Sequence, residues 1–286
     1  ITNGDFSQEG AEILSQPVNL ITDFAVNSGG VIVDADTFTT SGGSLDGLRK
    51  QNFLTVGKIY KLTIQGDTTS SGFTFGSLGA HGNEYGSGFG TFYFTALHSG
   101  VWIRQQTAGT TNITSFSIFE VGQDWTLYTG WSIGEDKAIC DGGGKINPTN
   151  NSWLSGKTYK FDIEVSDRTT GYFRIQNPSV SIYYVNNINS NGTYTYYINT
   201  IDANGFVIEA VGFDGSITNI SVKEVGQGWT KGSNWTIQNN LAKSDGSQTG
   251  NVSLKQSQSL NNLTQGAFYE VTYTISNYQN GSINPH

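Results

Sequence analysis

Residues 115–142 read SFSIFEVGQDWTLYTGWSIGEDKAICDG, and residues 219–246 read NISVKEVGQGWTKGSNWTIQNNLAKSDG. The two stretches align at an offset of 104 without a gap, and 12 of 28 positions are identical. Matched pairs include Glu120/Glu224, Val121/Val225, Gly122/Gly226, Gln123/Gln227, Trp125/Trp229, Trp131/Trp235, Ala138/Ala242 and Asp141/Asp245. Only six Trp occur in 286 residues, so two matched Trp pairs at one offset mark a duplication. This period exceeds the roughly 20–50 residues of a solenoid repeat. It is the size of one independent β-sandwich of about 100 residues.

A second echo extends the pattern. Gly57-Lys58-Ile59-Tyr60-Lys61 returns as Gly156-Lys157-Thr158-Tyr159-Lys160 and again as Gly266-Ala267-Phe268-Tyr269-Glu270. Offsets that drift by a few residues fit loops of varying length between copies. The boundaries that follow are 1–122 for a divergent first module, 123–226 for the second, and 227–286 for the opening half of a third. Half a sandwich exposes an apolar face and unpaired edges. The chain is therefore expected to continue beyond His286, the other reading being that a second chain supplies the missing strands. Met is absent, which also points to a processed chain or one stretch of a longer one.

Composition gives the class. Charged residues make up 13% of the chain, about half the usual share, and aromatics another 13%. Helix formers are scarce while Thr, Tyr, Val, Ile, Phe and Gly are plentiful, so the chain reads as soluble, all-β and rich in turns. A formal charge of −8 argues against a nucleic-acid partner, which selects a basic face. No apolar run reaches the roughly 20 residues of a membrane helix, so no membrane insertion is expected. One cysteine, Cys140, allows no internal disulfide.

The second module reads most clearly. Residues 157–165 alternate in period two, placing Tyr159, Phe161, Ile163 and Val165 on one face and Lys160, Asp162 and Glu164 on the other. Further strands are expected at 171–176, 180–185, 193–198, 206–211 and 217–225, separated by Asn-Pro, Asn-Gly and Asp-Gly turn signals. The fold expected is a row of antiparallel β-sandwiches.

The closing run 213–225 (FDGSITNISVKEV), the opening Asn3-Gly4-Asp5-Phe6 and the Trp run after each junction resemble a known family. They look like the carbohydrate-binding-module-like jelly-roll repeats of bacteriophage tail, fibre and other virion-surface proteins. The first module departs from that pattern, because it lacks the Trp pair and has Phe116-Ser117-Ile118-Phe119 in its last strand. The resemblance implies a non-enzymatic structural protein at the virion surface. It also implies homo-oligomeric assembly, contact with other virion proteins and binding to host-surface polysaccharide. The alternatives are binding modules of a secreted bacterial polysaccharide-degrading enzyme or adhesin, and an extracellular filament subunit built by strand exchange.

Catalytic chemistry is poorly provided for. His81, His98 and His286 have no metal-ligand spacing, and no Gly-x-Ser-x-Gly elbow occurs. The carboxylate pairs Glu135/Asp136 and Asp162/Glu164 read as solvated surface charge. Cys140 is matched by Ser244, a tolerated small residue and not a nucleophile. No cofactor is expected beyond a structural calcium, which the resemblance allows. Its oxygen ligands would come from Asp34 with Asp36, or from Asp141 and its repeat mate Asp245. Sugar binding calls for exposed aromatic rings against which C–H faces can stack. The candidates are Trp102, Trp153, Tyr183, Tyr184 and Tyr197, with Tyr194 and Tyr196 on the opposite face of their strand. The repeated Trp131 and Trp235 read as core.

Overall fold

The computed structural model describes residues 6–14, 16–79, 83–256 and 263–285. His81 and His286 lie outside them. The first unit opens with β1 (Glu9–Glu12), a single helical turn α1 (Leu20–Asp23), β2 (Ala25–Asn27), β3 (Gly30–Ile32), β4 (Thr37–Thr40) and β5 (Gly47–Lys50). It continues through β6 (Ile59–Thr68), β7 (Phe73–Ser77), β8 (Glu84–Ser87), β9 (Gly90–Thr95), β10 (Val101–Gln105) and β11 (Gly109–Val121). One sheet runs β3-β4-β11-β6-β9 with β1 also on β11, and the other runs β2-β5-β10-β7-β8. Leu62, Ile64, Phe116 and Ile118 of the first sheet share one core with Leu48, Phe73, Phe75 and Ile103 of the second. Two packed antiparallel sheets, between which the chain crosses at every step except the β3–β4 and β7–β8 hairpins, make a jelly-roll sandwich.

The second unit holds β12 (Trp125–Leu127), β13 (Trp131–Gly134), β14 (Lys137–Pro148), β15 (Thr158–Gln176), β16 (Tyr183–Ile188), β17 (Gly192–Asn199) and β18 (Val207–Val225). Two pairs of strands expected as separate are single here: 157–165 with 171–176, and 206–211 with 217–225. The expected strand at 180–185 begins instead at Tyr183. The long strands bend from one layer into the other, and each bend coincides with a slip in pairing register, at 141/143 in β14 and at 166/170 and 170/172 in β15. Gly171 shows why the bend needs glycine. Its φ is +66°, and a Cβ there would lie 2.0 Å from the Gly212 carbonyl oxygen. Phe161 and Phe206 meet edge to face at 4.9 Å across the folded layers, joining both halves in one core.

Taken half by half, the second unit repeats every strand of the first except β1. The order β13, 137–141, 214–225, 158–166, β17 matches β3-β4-β11-β6-β9, and β12, 143–148, 207–211, 170–176, β16 matches β2-β5-β10-β7-β8. The divergence of the first 122 residues therefore stops short of topology. Where the second unit bends its strands, the first breaks them, and hydrogen-bonded polar side chains fill the corner. Buried Gln105 accepts from the Thr40 hydroxyl and donates to that of Thr111 at 2.6 Å.

After Val225 come β19 (Trp229–Lys231), β20 (Trp235–Gln238), β21 (Leu241–Ser244) and β22 (Leu254–Gln256). Trp235 faces Ser244 across β20–β21 as Trp131 faces Cys140 across β13–β14. Residues 263–285 carry no strand. The reason lies in the pairing order: in the second unit β15 pairs with β18 and β17 but never with β14. Among the described residues nothing in the third segment stands where β18 would bridge. Val271, Tyr273 and Ile275 are accordingly exposed. The local turn survives regardless. The Tyr269 hydroxyl accepts from the Thr264 amide at 2.7 Å, as Tyr60 does from Thr55 at 2.9 Å and Tyr159 from Leu154 at 3.0 Å.

Successive units meet in the same way. The amides of Trp125 and Trp229 donate to the carbonyls of Gly122 and Gly226, each at 3.0 Å. Those glycines have φ of +73° and +68°, and a Cβ on them would strike Ile133 and Ile237. Phe6, at the start of the first unit, packs against Trp125 with the rings tilted and their centroids 4.9 Å apart, and belongs to the second core.

Candidate functional site

The chemistry that stands out lies on the outer face of the layer β12-(143–148)-(207–211)-(170–176)-β16. Alternation along those strands turns Phe173, Ile175, Ile208, Ala210 and Ile146 into the core. It turns Tyr172, Arg174, Glu209, Val211 and Lys145 outward. Register brings Arg174 opposite Glu209 on one side and Lys145 opposite Glu209 on the other. The Glu209 carboxylate lies 2.6 Å from Arg174 and 3.4 Å from Lys145. Partial burial works to raise the Glu209 carboxyl, but those two cations outweigh it and hold the group below its ordinary value. The Arg174 guanidinium lies over the Tyr183 ring, 4.2 Å from its centroid. Tyr183 remains 42% exposed. This face can hydrogen-bond polar groups and offer an aromatic surface to C–H groups at once.

The corresponding face of the first unit is built differently. Trp102 alternates outward between the core residues Val101 and Ile103. It pairs with exposed Arg49 across β5–β10. Arg104 lies 4.0 Å over its ring, and its indole N–H donates to the Ser77 carbonyl at 2.8 Å. Trp102 is only 1% exposed, so no ring face reaches solvent. Both units thus carry a guanidinium on an aromatic ring on the same sheet face, yet on strands that do not correspond. The pairing belongs to the face and not to the repeated sequence.

The other aromatic candidates scatter. Trp153 is buried in the second core against Tyr159, Tyr184 and Phe206 at 5.2, 5.4 and 5.5 Å. Tyr184 is half-buried there, and burial pushes its phenol up while Asn177 donates to it at 2.9 Å. Neither Trp153 nor Tyr184 offers a free ring face for stacking. Tyr194 and Tyr196 stack on each other at 6.1 Å and pack against the same core. Tyr197 points outward and is taken up by the third segment, its hydroxyl donating to the Asn239 side chain at 2.9 Å. Trp131 is buried as expected, while Trp235 is partly exposed. Of the five sugar-contact candidates, only Tyr183 stands on an open face. The sequence reading missed Arg174, Lys145, Glu209 and Tyr172, although period-two alternation around Phe173 and Ile175 marks Tyr172 and Arg174 as outward.

The carboxylates are also placed. Asp34 and Asp36 share the exposed turn between β3 and β4, where the Asp36 amide donates to Asp34 at 3.2 Å. Asp141 faces Asp214 across β14–β18, and Asp245 caps its own turn by accepting from the Ser247 amide at 2.9 Å. Among the described residues no group of three or more His, Cys, Asp or Glu gathers as a metal cage would require. Glu135 and Asp136 form the β13–β14 turn, and Asp162 is held by Thr195 and Lys160. Cys140 is buried, and its thiol is pushed up to about 11 by that burial, which keeps it protonated at neutral pH.

No family model and no curated protein matches this chain. Among solved structures, the N-terminal CBM22-1-CBM22-2 tandem domain of Xyn10C from Paenibacillus barcinonensis is similar over 77% of this chain and 99% of that one. The identity is 9% and the TM-score 0.32, and a likeness of that size carries no argument about ligand or activity.

Proposed function

We propose that the chain is a non-catalytic glycan-binding protein, a row of β-sandwiches that present sugar-contact faces along a surface appendage. The observation that carries this reading is the open face of the second unit, where half-exposed Tyr183 lies beside Arg174, Glu209 and Lys145. A sugar ring needs an apolar surface under its C–H groups and hydrogen-bonding groups at its edge, and this face supplies both within one patch. The resemblance at 213–225 and around the junctions supports placement on a bacteriophage virion, with other virion proteins and further copies of this chain as partners. Repeated weak sites along such an array would raise avidity without any new contact.

A glycan array probed with the whole chain and its Tyr183→Ala variant tests the proposal. Retention of a defined glycan set that the folded variant loses is the outcome expected. A folded chain that retains no glycan removes the proposal and leaves the sandwiches an architectural role.

A further inference from the structure

We infer that the glycan bound at this face is acidic, a polymer bearing uronic-acid carboxylates that Arg174 and Lys145 receive. The inference deepens the function just proposed and rests on it. Its first support is local charge. The chain carries 23 acidic and 15 basic residues. On this face the balance is reversed, with Arg174 and Lys145 against Glu209 alone. The matching face of the first unit also places two guanidinium groups, exposed Arg49 and buried Arg104, against Glu84, on residues that are not repeat mates.

The second support is geometry. Glu209 already demonstrates that a carboxylate fits between the two cations. It occupies the Nε and Nη2 side of the guanidinium, both through its Oε2 atom. A guanidinium has five donors in a rigid fork suited to carboxylates, so one bound carboxylate leaves capacity for another. Lys145 is 45% exposed and Arg174 22%, so a ligand can reach both. Tyr183 beside them supplies the surface for the sugar ring that carries the charge.

The test is affinity electrophoresis and calorimetry of the whole chain with polygalacturonate, alginate and hyaluronate, each beside its methyl ester and beside neutral xylan and β-glucan. Esterification removes the charge and leaves the sugar, so no variant is needed for the first comparison. At least one acidic polymer should bind about tenfold or more tightly than its ester, with binding weakened by added salt. Arg174→Gln should lose about tenfold, Arg174→Lys should retain part of the affinity, and Glu209→Gln, which removes a competing carboxylate, should gain. Melting curves establish that each variant is folded. Equal binding of acid and ester, or neutral-glycan binding unchanged by Arg174→Gln, overturns the acidic ligand and leaves glycan binding standing. Retention of none of these polymers by the folded chain, with a blank array, overturns both.

Discussion

Trp153 and Tyr183 show how burial decides what an aromatic side chain can do. Trp153 is enclosed by Tyr159, Tyr184 and Phe206, so Trp153→Ala should leave a cavity and cost about 3–5 kcal/mol. Tyr183→Ala removes a ring packed mainly on one guanidinium and should cost less than about 1 kcal/mol. Denaturant titration of the two variants checks this contrast, and binding should be lost in Tyr183→Ala without loss of fold. A second residue carries a pH signature. Asp46 accepts from the Ser41 hydroxyl and from the amides of Gly29 and Gly43, and these bonds hold its carboxyl at about 2. A depressed folded value stabilises the protein above the unfolded value near 4, and that contribution is lost as pH falls through 4 toward 2. Melting temperature followed from pH 6 to pH 2 should fall more steeply in the wild type than in Asp46→Asn.

At the scale of the element, the bent strands set the fold. Gly171 sits at φ +66° with the Gly212 backbone 2.0 Å from where a Cβ would go, while Gly142 at φ +88° has open space around it. Gly171→Ala should therefore destabilise by about 3 kcal/mol or more, through strain and backbone displacement, and Gly142→Ala by only about 1 kcal/mol. Thermal unfolding of the two variants separates close approach from conformational strain. These bends also mark where the sequence could be read and where it could not. Alternation of Tyr159, Phe161, Ile163 and Val165 identified the strand and its buried face correctly. The run Asp167-Arg168-Thr169-Thr170-Gly171 looks like a chain reversal, because local turn chemistry is the same whether a strand ends or folds over. What keeps β15 continuous is its pairing with β18, from Gln176 on Val207 to Thr158 on Val225, and no local pattern reports contacts that distant in sequence. The same limit hid the site. Period two says that Trp102 and Arg174 point away from the core, but only the packed structure shows that Arg104 and Gly76 cover Trp102 while Tyr183 stays open. Tyr197 was legible as opposite in face to Tyr194 and Tyr196, and its capture by Asn239 was not, since the partner belongs to the next repeat.

On the scale of the molecule, the units are interdependent. Phe6 precedes every strand of the first unit, yet it is 1% exposed and packed against Trp125 of the second. Phe6→Ala should lower the stability of the second unit by about 3 kcal/mol and leave the first nearly unchanged. Hydrogen exchange resolved by segment would show this as faster exchange in 125–225 than in 59–118. Uniform loss across both units would mean that the two sandwiches unfold as one. Trp125 on Gly122 and Trp229 on Gly226 give each junction the same local turn, from which the next unit's first strand starts.

The bent strands also govern how the second unit would carry tension. The chain enters it through β12, a three-residue strand at a layer edge, and leaves through 214–225, of which 214–217 lies between 138–141 and β15 while 218–225 pairs with β15 alone. A pull along the chain therefore peels the entry strand one rung at a time, while at the exit it meets the long β15–β18 ladder. The entry would yield first, lengthening the chain slightly while β14, β15 and β18 stay folded. Under load the second sandwich would thus act as a shock absorber, with a short release at one end and a long clasp at the other.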